Sequence, residues 1–499
     1  ATITYKIGTT YVSTPPTDAG SYAVKAVAGG VTKTGTLVIA KAPLYVTPDD
    51  QRKFAGKVNP VLTYSITGYR GTDTTTVVTK APILKTTATT ASPGGLYPIT
   101  ASGATALNYT FIYQQGTLVV ESFAGSYEAL LVDGDGRPVG KLGLTVTAPS
   151  TAFTAKLSSA TETSALSFTG PLNTDPTLEQ ATGSAMMMKS GIPYAISFTL
   201  PLNGSVTASA TRDSLTLGST TDGQKLSTAT VLYAGAHTVV LEPATPGAAN
   251  VPVGAGWATA AISTTGVLTL TGKLGDGTTF TSTVSPDGMS NPGYRVFVQP
   301  YLAARSHSFL AGSFNLIPHP TLSNRRYVVA ADMTWKKSGL LADASYRSGF
   351  GPVNTVLMLD PWQKPVAATM TLPAKTLPQR LGLGAPNFAV AHSATGSAAN
   401  GNLPTRLALS TTNVVSVLAP VTNPVNITKW KTATFNTTDG TFTGSFELID
   451  GTVKRPVTFS GILRQPAASQ DPLIGDGHYL LPPVTGTEKS TGEVNFQRP

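Results

Sequence analysis

The feature that most constrains this fold is a phrase that occurs twice near the start of the sequence. The tetrapeptide GTLV occupies residues 35–38 and again residues 116–119. A Gly-containing turn and an apolar segment with a tyrosine precede each copy, at residues 18–24 and 93–99. A tandem repeat of this length usually consists of stacked modules, each a supersecondary unit. The repeat therefore predicts consecutive β-modules rather than one catalytic body.

The composition favours β-strands along the whole chain. Its length of 499 residues predicts three or four domains. Only 12 % of the residues are charged, and the 49 glycines and 37 prolines follow no fixed period, which is typical of many short strands joined by turns. Segments such as residues 2–7, 62–66 and 109–113 alternate apolar and polar side chains with a period of two. We find no convincing helical stretch, so the sequence predicts an all-β fold.

The residue types that are missing or sparse limit the chemistry. The chain has no cysteine, which removes thiolate nucleophiles and cysteine metal sites and fits a bacterial surface protein better than a eukaryotic matrix protein. A net charge of +9 is small for this length, and the basic residues do not cluster with aromatic residues as nucleic-acid binding requires. The charge allows only weak attraction to acidic polysaccharide or an anionic cell surface.

No apolar run is long enough to span a membrane, because the longest candidates, such as residues 414–419, have the length of a strand. The chain starts at Ala1 and shows no signal peptide. We interpret it as a mature chain whose leader has been removed, with a fragment boundary as the alternative.

The first quarter of the sequence divides into a short repeat, residues 1–41, and a longer one, residues 42–121. The longer repeat carries a set of characteristic segments: LYVTPDD at 44–50, NPVLTYSITGY at 59–69, ASPGGLYPI at 91–99, NYTF at 108–111 and GTLV at 116–119. These segments resemble the bacterial Ig-like MBG (mostly-beta, glycine-rich) family, well over 42–121 and partly over 1–41. The resemblance implies tandem modules of large secreted bacterial proteins with adhesive or structural roles, and it implies no catalytic residues.

The rest of the chain repeats a different phrase. Related copies are FTAKL at 153–157, LTGKL at 270–274, FTGSF at 442–446 and LAGSF at 310–314, with return segments at 168–172 and 459–463. Their alternation predicts antiparallel β-meanders, as a sandwich or barrel, in two related domains, 122–300 and 301–499. This region resembles the C-terminal β-rich regions of large surface proteins of Verrucomicrobia-like bacteria. The predicted fold is therefore tandem Ig-like β-sandwich modules followed by larger β-meander domains.

Several acidic motifs have both a chemical and a structural interpretation. Residues 133–136, DGDG, could begin a calcium loop, but the later ligands of that loop are missing, so we favour a hairpin turn. Asp276-Gly277 and Asp439-Gly440 are also hairpin turn signals. Asp360 beside Trp362 and Asp332 near Trp335 are the only acid–aromatic pairs that suggest glycoside hydrolysis.

Other candidate residues give weak signals. The five histidines are far apart, and we interpret them as isolated structural or surface residues rather than metal ligands or catalytic bases: His237, His307, His319, His392 and His478. The tryptophans could form sugar-stacking platforms, but we favour core positions for them: Trp257, Trp335, Trp362 and Trp430. The run Met186-Met187-Met188 is expected in a core. The sequence thus predicts no catalytic, cofactor-binding or metal-binding residue.

These observations predict a non-enzymatic, extracellular protein of a bacterial surface. We expect an adhesin or a subunit of a filament, fibre or surface layer; the alternatives are a carbohydrate-binding surface protein and, less favoured, an enzyme acting on polysaccharide. The short first repeat suggests an open sheet edge that a neighbouring subunit completes with a strand. Residues 492–497 alternate and are the predicted donor, which would give head-to-tail self-association. The ligand and the oligomeric architecture do not follow from the sequence.

Overall fold

The computed structural model of this chain consists almost entirely of β-strands, which confirms the predicted all-β fold. It describes residues 1–213, 215–248, 250–301, 307–369, 374–381, 383, 387–394, 405–418, 429–450, 452–466, 473–483 and 488–498. Within these ranges the helical residues form two short elements, the 3-10 helix η1 (Thr75–Val77) and the α-helix α1 (Leu377–Arg380).

The first repeat forms one antiparallel sheet. Its strands are β1 (Thr2–Ile7), β2 (Thr10–Val12), β3 (Gly20–Ala28) and β4 (Val31–Ile39), in the order β2-β1-β3-β4. Gly29 and Gly30, both with positive φ, make the tight turn between β3 and β4. No residue of this sheet is buried. The first repeat is therefore a single layer and not a sandwich.

The second repeat is a small β-sandwich. Its strands are β5 (Ala42–Pro48), β6 (Gln51–Phe54), β7 (Tyr64–Thr67), β8 (Val78–Lys80), β9 (Ile83–Thr86), β10 (Gly95–Ser102), β11 (Thr105–Ala106), β12 (Tyr109–Tyr113) and β13 (Gly116–Glu121). They form the sheets β6-β13-β10-β9 and β12-β5-β7 and the short pair β11-β8. Ile99 and Leu118 are completely buried in the core of the first of these sheets.

A closed barrel of eight antiparallel strands follows. Its strands, each paired with the next, are β14 (Gly125–Val132), β15 (Pro138–Thr147), β16 (Ala152–Ser159), β17 (Leu166–Asp175), β18 (Gln180–Lys189), β19 (Ile192–Pro201), β20 (Ser205–Arg212) and β21 (Leu215–Lys225). Phe153 and Phe198 pack edge to face, with ring centres 4.7 Å apart. Gly170 and Gly183 leave room for these rings, since a Cβ at either position would collide with Phe153.

A nine-stranded sheet follows the barrel and wraps around one core. Its strands are β22 (Gly235–Pro243), β23 (Gly256–Ile262), β24 (Leu268–Lys273), β25 (Thr279–Val284), β26 (Gly293–Val298), β27 (Phe309–Asn315), β28 (Ile317–Pro318), β29 (Arg326–Ser338) and β30 (Gly349–Pro361). The order is β25-β24-β23-β22-β30-β29-β27-β26, with β28 beside β29. Every strand except the two-residue β28 contributes to a core that includes Trp335 and Phe280. Within the described residues, β25 and β26 at the two ends of this order do not pair with each other.

The domain break that the sequence suggests at residue 300 falls inside this sheet. β30 follows residue 300 but pairs with β22, with Leu359 opposite Val239. The repeated phrases mark hairpins, which are local features. They therefore predict the strands but not which strands distant in sequence pair in the sheet. The sheet boundaries therefore lie elsewhere, between β21 and β22 and after β30.

The last sheet has eight antiparallel strands and a second large core. Its strands are β31 (Asn387–Ala394), β32 (Thr405–Leu409), β33 (Val415–Val417), β34 (Lys429–Phe435), β35 (Thr441–Asp450), β36 (Val453–Leu463), β37 (Leu473–Leu481) and β38 (Ser490–Gln497). The order is β33-β32-β31-β38-β37-β36-β35-β34. Leu377 and Leu381 at α1 pack into this core with Trp362. The two larger sheets and the barrel confirm the predicted β-meanders.

Candidate assembly surface

The two GTLV phrases hold the same position in their sheets. Tyr22 of β3 lies opposite Leu37 of β4, and Tyr97 of β10 lies opposite Leu118 of β13. Each tyrosine hydroxyl donates a hydrogen bond to the carbonyl four residues earlier, at 2.9 Å for Tyr22 and 3.0 Å for Tyr97. The sequence repeat is therefore a structural repeat down to the register.

One face of the first sheet is mainly apolar, with Thr10 and Lys33 as its polar members, and none of its residues is buried. Side chains of residues directly opposite one another in a sheet share a face, and alternate residues of a strand do as well. The register of the four strands therefore places these residues on one face: Ile3, Tyr5, Ile7, Val12, Tyr22, Val24, Leu37 and Ile39. We call them the open face. None is buried, and Ile3 and Ile7 are 49 % and 44 % exposed.

The other side of the same sheet is more polar. It carries mainly threonine and lysine: Thr2, Thr4, Lys6, Lys25, Thr32, Thr34 and Thr36. Tyr11, Val27 and Val38 lie among them. The difference between the two sides is the pattern of a sheet that packs one side on a core and turns the other to solvent.

The second repeat shows what a complete module places on the same surfaces. Strand β6 pairs in parallel with β13, with Gln51 opposite Leu118. Ala55, Leu62 and Ala88 pack against Leu118 and its neighbours. In the first sheet, β4 is an edge strand. Among the described residues, no strand pairs with the free side of β4 and no layer covers the open face.

The joint between the two repeats is short and tied by hydrogen bonds. Only Ala40 and Lys41 separate β4 from β5. The side chain of Asn108 accepts a hydrogen bond from the amide of Ala19 at 2.8 Å and donates one to Asp18 Oδ1 at 2.7 Å. These bonds connect the first sheet to the sandwich.

The predicted strand donor is wrong. Residues 492–497 belong to β38, which pairs with β31 on one side and β37 on the other. Val494 and Phe496 of this strand are completely buried. Both edges of β38 are already occupied, so it cannot leave without opening the last core. Alternation alone could not show this, because central and edge strands share the same period.

The acidic motifs form turns. Asp133 accepts hydrogen bonds at Oδ1 from the amides of Asp135 and Arg137, both at 3.0 Å, which closes the hairpin between β14 and β15. Asp276 and Asp439 likewise lie in hairpin turns, before β25 and β35, and accept bonds from the amides two residues on. The predicted hairpin turns are confirmed. Across the described ranges, no three His, Cys, Asp or Glu side chains form a group that could hold a metal ion.

The two acid–aromatic pairs differ in burial, because Asp360, Trp362 and Trp335 lie in the interior whereas Asp332 is exposed. Asp360 is 2 % exposed and accepts a bond from Arg464 Nε at 2.8 Å. Asp332 accepts one from Asn354 at 3.3 Å. Trp335 and Trp362 are buried in separate cores, whereas Trp257 and Trp430 are half-buried against cores. The predicted core positions are confirmed for Trp335 and Trp362, whereas Trp257 and Trp430 are only partly buried.

Four of the five histidine side chains lie within the described residues. His237 and His478 are buried, and each ring Nδ1 lies beside a backbone carbonyl, that of Gly235 at 3.1 Å and that of Ala255 at 3.0 Å. Burial lowers the pKa of both imidazoles to about 4. His307 is exposed and His319 is half-buried, and the side chain of His392 lies outside the described residues. The two buried imidazoles are neutral structural groups at neutral pH.

The methionine run is not a core feature, contrary to the prediction. Met186 and Met188 are 75 % and 64 % exposed on β18, and Met187 is half-buried. A strand sends alternate side chains to opposite faces, so three consecutive residues cannot all point inward.

Sequence comparison identifies one module. A family model described as the MBG domain of the YGX type matches residues 44–119. The match supports the MBG module predicted for residues 42–121. No curated protein matches the chain. The described part of the chain contains no helix with the length and hydropathy needed to cross a membrane.

Proposed function

We propose that this chain is a non-enzymatic structural or adhesive protein of a bacterial surface that assembles into filaments, fibres or a surface layer through its first sheet. The observation that carries the proposal is the open face. Contiguous exposed apolar surface on a folded protein marks an interaction site. The complete sandwich beside it buries the equivalent residues.

The partner is a second copy of this chain. The open face needs an apolar layer, and the free side of β4 needs an extended strand, as β6 supplies to β13. The chain has edge strands of its own, such as β7 and β9, that can pair with a neighbour. Repetition of one such contact from copy to copy, without closing into a ring, produces a fibre.

The MBG match supports an extracellular location. The resemblance to this family implies that such modules occur in tandem on secreted bacterial proteins and have adhesive or structural roles. The complete absence of cysteine agrees with a protein that is held together by core burial and sheet pairing rather than by disulfides.

Electron microscopy in negative stain, combined with light scattering across a concentration series, tests the proposal. We expect the wild-type chain to form fibres or lattices. Leu37→Lys, which places a charge on the open face, should prevent them. Thr36→Lys is the matched control, because it adds the same charge to the other side of the same strand. Wild-type particles that stay single at every concentration would show that the chain does not self-assemble through this sheet.

A further inference from the structure

A lysine and two aspartates are buried together at one end of the nine-stranded sheet. Lys337 Nζ of β29 lies 2.9 Å from Asp276 Oδ2 and 3.3 Å from Asp343 Oδ2. All three side chains are at most 3 % exposed. Removing an ion pair from water costs more free energy than the attraction between its charges returns, unless the geometry is very good. Two carboxylates thus contact the same ammonium group.

Aromatic rings surround the ammonium group. The ring centres of Tyr301 and Tyr346 lie 5.7 Å and 5.9 Å from Lys337 Nζ. Trp335 Nε1 donates a hydrogen bond to the Tyr301 hydroxyl at 3.0 Å. Burial raises the pKa of Tyr301 well above its usual value, so this environment opposes charge. The amine and the two carboxyl groups are therefore held in contact in an interior that is shielded from water.

We propose that Lys337 and Asp276 join in an intramolecular amide bond, with Asp343 as the proton relay. The carboxyl group of Asp276 is prepared for attack. Its Oδ1 accepts a hydrogen bond from the Thr278 amide at 3.0 Å, and its Oδ2 accepts one from the Tyr301 hydroxyl at 3.1 Å. Donors held at a carboxyl group stabilise the negative charge that develops on its oxygens during attack.

The reaction is a condensation that balances without an oxidant, reductant or cofactor. Lys337 Nζ gives a proton to Asp343 and attacks Cγ of Asp276. The new C–N bond forms and the C–Oδ2 bond breaks. That oxygen leaves as water with two protons, both of which come from the original ammonium group and one of which passes through Asp343. One ammonium and one carboxylate thus become one amide and one water.

The surroundings already fit the product. Lys337 Nζ donates a hydrogen bond to the carbonyl of Ser345 at 2.9 Å, and the amide N–H can keep this bond. The Thr278 amide remains as a donor to the new carbonyl. The bond would connect the turn between β24 and β25 covalently to β29. Within the described residues, the two ends of this sheet, β25 and β26, are not paired with each other. Condensation also removes a charged pair from the interior.

Mass spectrometry of the full chain under denaturing conditions tests the proposal. We expect an intact mass lower than the sequence mass by one water, and a tryptic peptide in which Lys337 is joined to Asp276. The joined peptide is the decisive observation, because a succinimide at Asp276-Gly277 also loses water. Such a succinimide leaves Lys337 free and reopens in mild base.

Three variants complete the experiment. Lys337→Arg keeps the charge but cannot form the amide, so the joined peptide should vanish. Asp343→Asn removes the proton relay, so most molecules of this variant should lack the bond between Lys337 and Asp276. Lys189→Arg is the control, because Lys189 pairs with Glu162 at 2.7 Å on the barrel and should not affect the joined peptide. The assignment would be overturned if the wild-type digest contained no joined peptide, or if it contained Lys337 joined to Asp343. This holds for any result with the variants. The result does not depend on the proposed assembly.

Discussion

Leu37 occupies in the first sheet the position that Leu118 occupies in the second, yet only Leu118 is completely buried. Both side chains face a tyrosine on the neighbouring strand, and the two sheets share the register. The difference therefore arises from what covers each leucine and not from the strand that carries it. A side chain gains stability from burial in proportion to the apolar area removed from water.

Alanine substitutions at these two leucines should have unequal effects on the chain in dilute solution. Leu118→Ala creates a cavity in the sandwich core and should lower its free energy of unfolding by about 2 to 5 kcal/mol. Leu37→Ala removes a partly exposed side chain and should cost less than about 1 kcal/mol. Chemical denaturation measures both. Equal costs in dilute solution would mean that the open face is covered in the monomer.

The packing of the strands explains why the phrases repeated in residues 122–499 contain both phenylalanine and glycine. The sequence shows only part of this arrangement. Phe442 lies opposite Gly461 across β35 and β36, and Phe459 lies opposite Gly444. Each phenyl ring covers a glycine, and a Cβ at either glycine would overlap that ring. An aromatic side chain over a strand glycine fills the space that the missing side chain leaves.

Gly461→Ala should therefore destabilise the last sheet. The added methyl group meets both the Phe442 ring and the carbonyl of Asp476, so the core must expand. We expect a loss of about 1 to 3 kcal/mol in the free energy of unfolding. Gly351→Ala on β30 is the matched control, since nothing lies within 4 Å of its added Cβ. A neutral effect of Gly461→Ala in urea denaturation would show that the ring moves aside freely.

The sequence predicts strands far better than it predicts their partners. Alternation identified the strands, and turn dipeptides such as Asp276-Gly277 located the hairpins, because both are local signals. The pairing of β22 with β30 joins residues more than one hundred positions apart, as with Val239 and Leu359, and no local pattern encodes it. The buried site of Lys337 cannot be recognised from the sequence for a related reason. Lysine is almost never fully buried unless it is paired, and its partners come from distant turns.

The joint between the repeats offers a prediction about dynamics. Asn108→Ala removes the acceptor of the Ala19 amide and the donor to Asp18. We expect the Ala19 amide to exchange with deuterium markedly faster, because an amide that has lost its side-chain acceptor is less protected. Hydrogen exchange followed by mass spectrometry measures this. Asn203→Ala, in a turn of the barrel, should leave exchange at Ala19 unchanged. Unchanged exchange in Asn108→Ala would show that other contacts hold the joint.

The buried imidazole of His478 should make the last sheet sensitive to acid. Burial lowers its pKa from 6.5 to about 4, so the unfolded chain takes up a proton at a higher pH than the folded chain does. The stability that depends on His478 is therefore complete above pH 6.5 and is lost as the pH falls towards 4. A shift of this size corresponds to about 3 kcal/mol.

His478→Asn keeps a donor for the carbonyl of Ala255 but does not titrate, so its free energy of unfolding should fall less between pH 6.5 and pH 4. The difference between variant and wild type at each pH removes the contribution of other groups. One of these is Asp476, whose burial raises its pKa and so acts in the opposite sense. His307→Asn, at an exposed position, is the control and should follow the wild type. Parallel curves for His478→Asn and wild type would mean that His478 reaches water in the folded state.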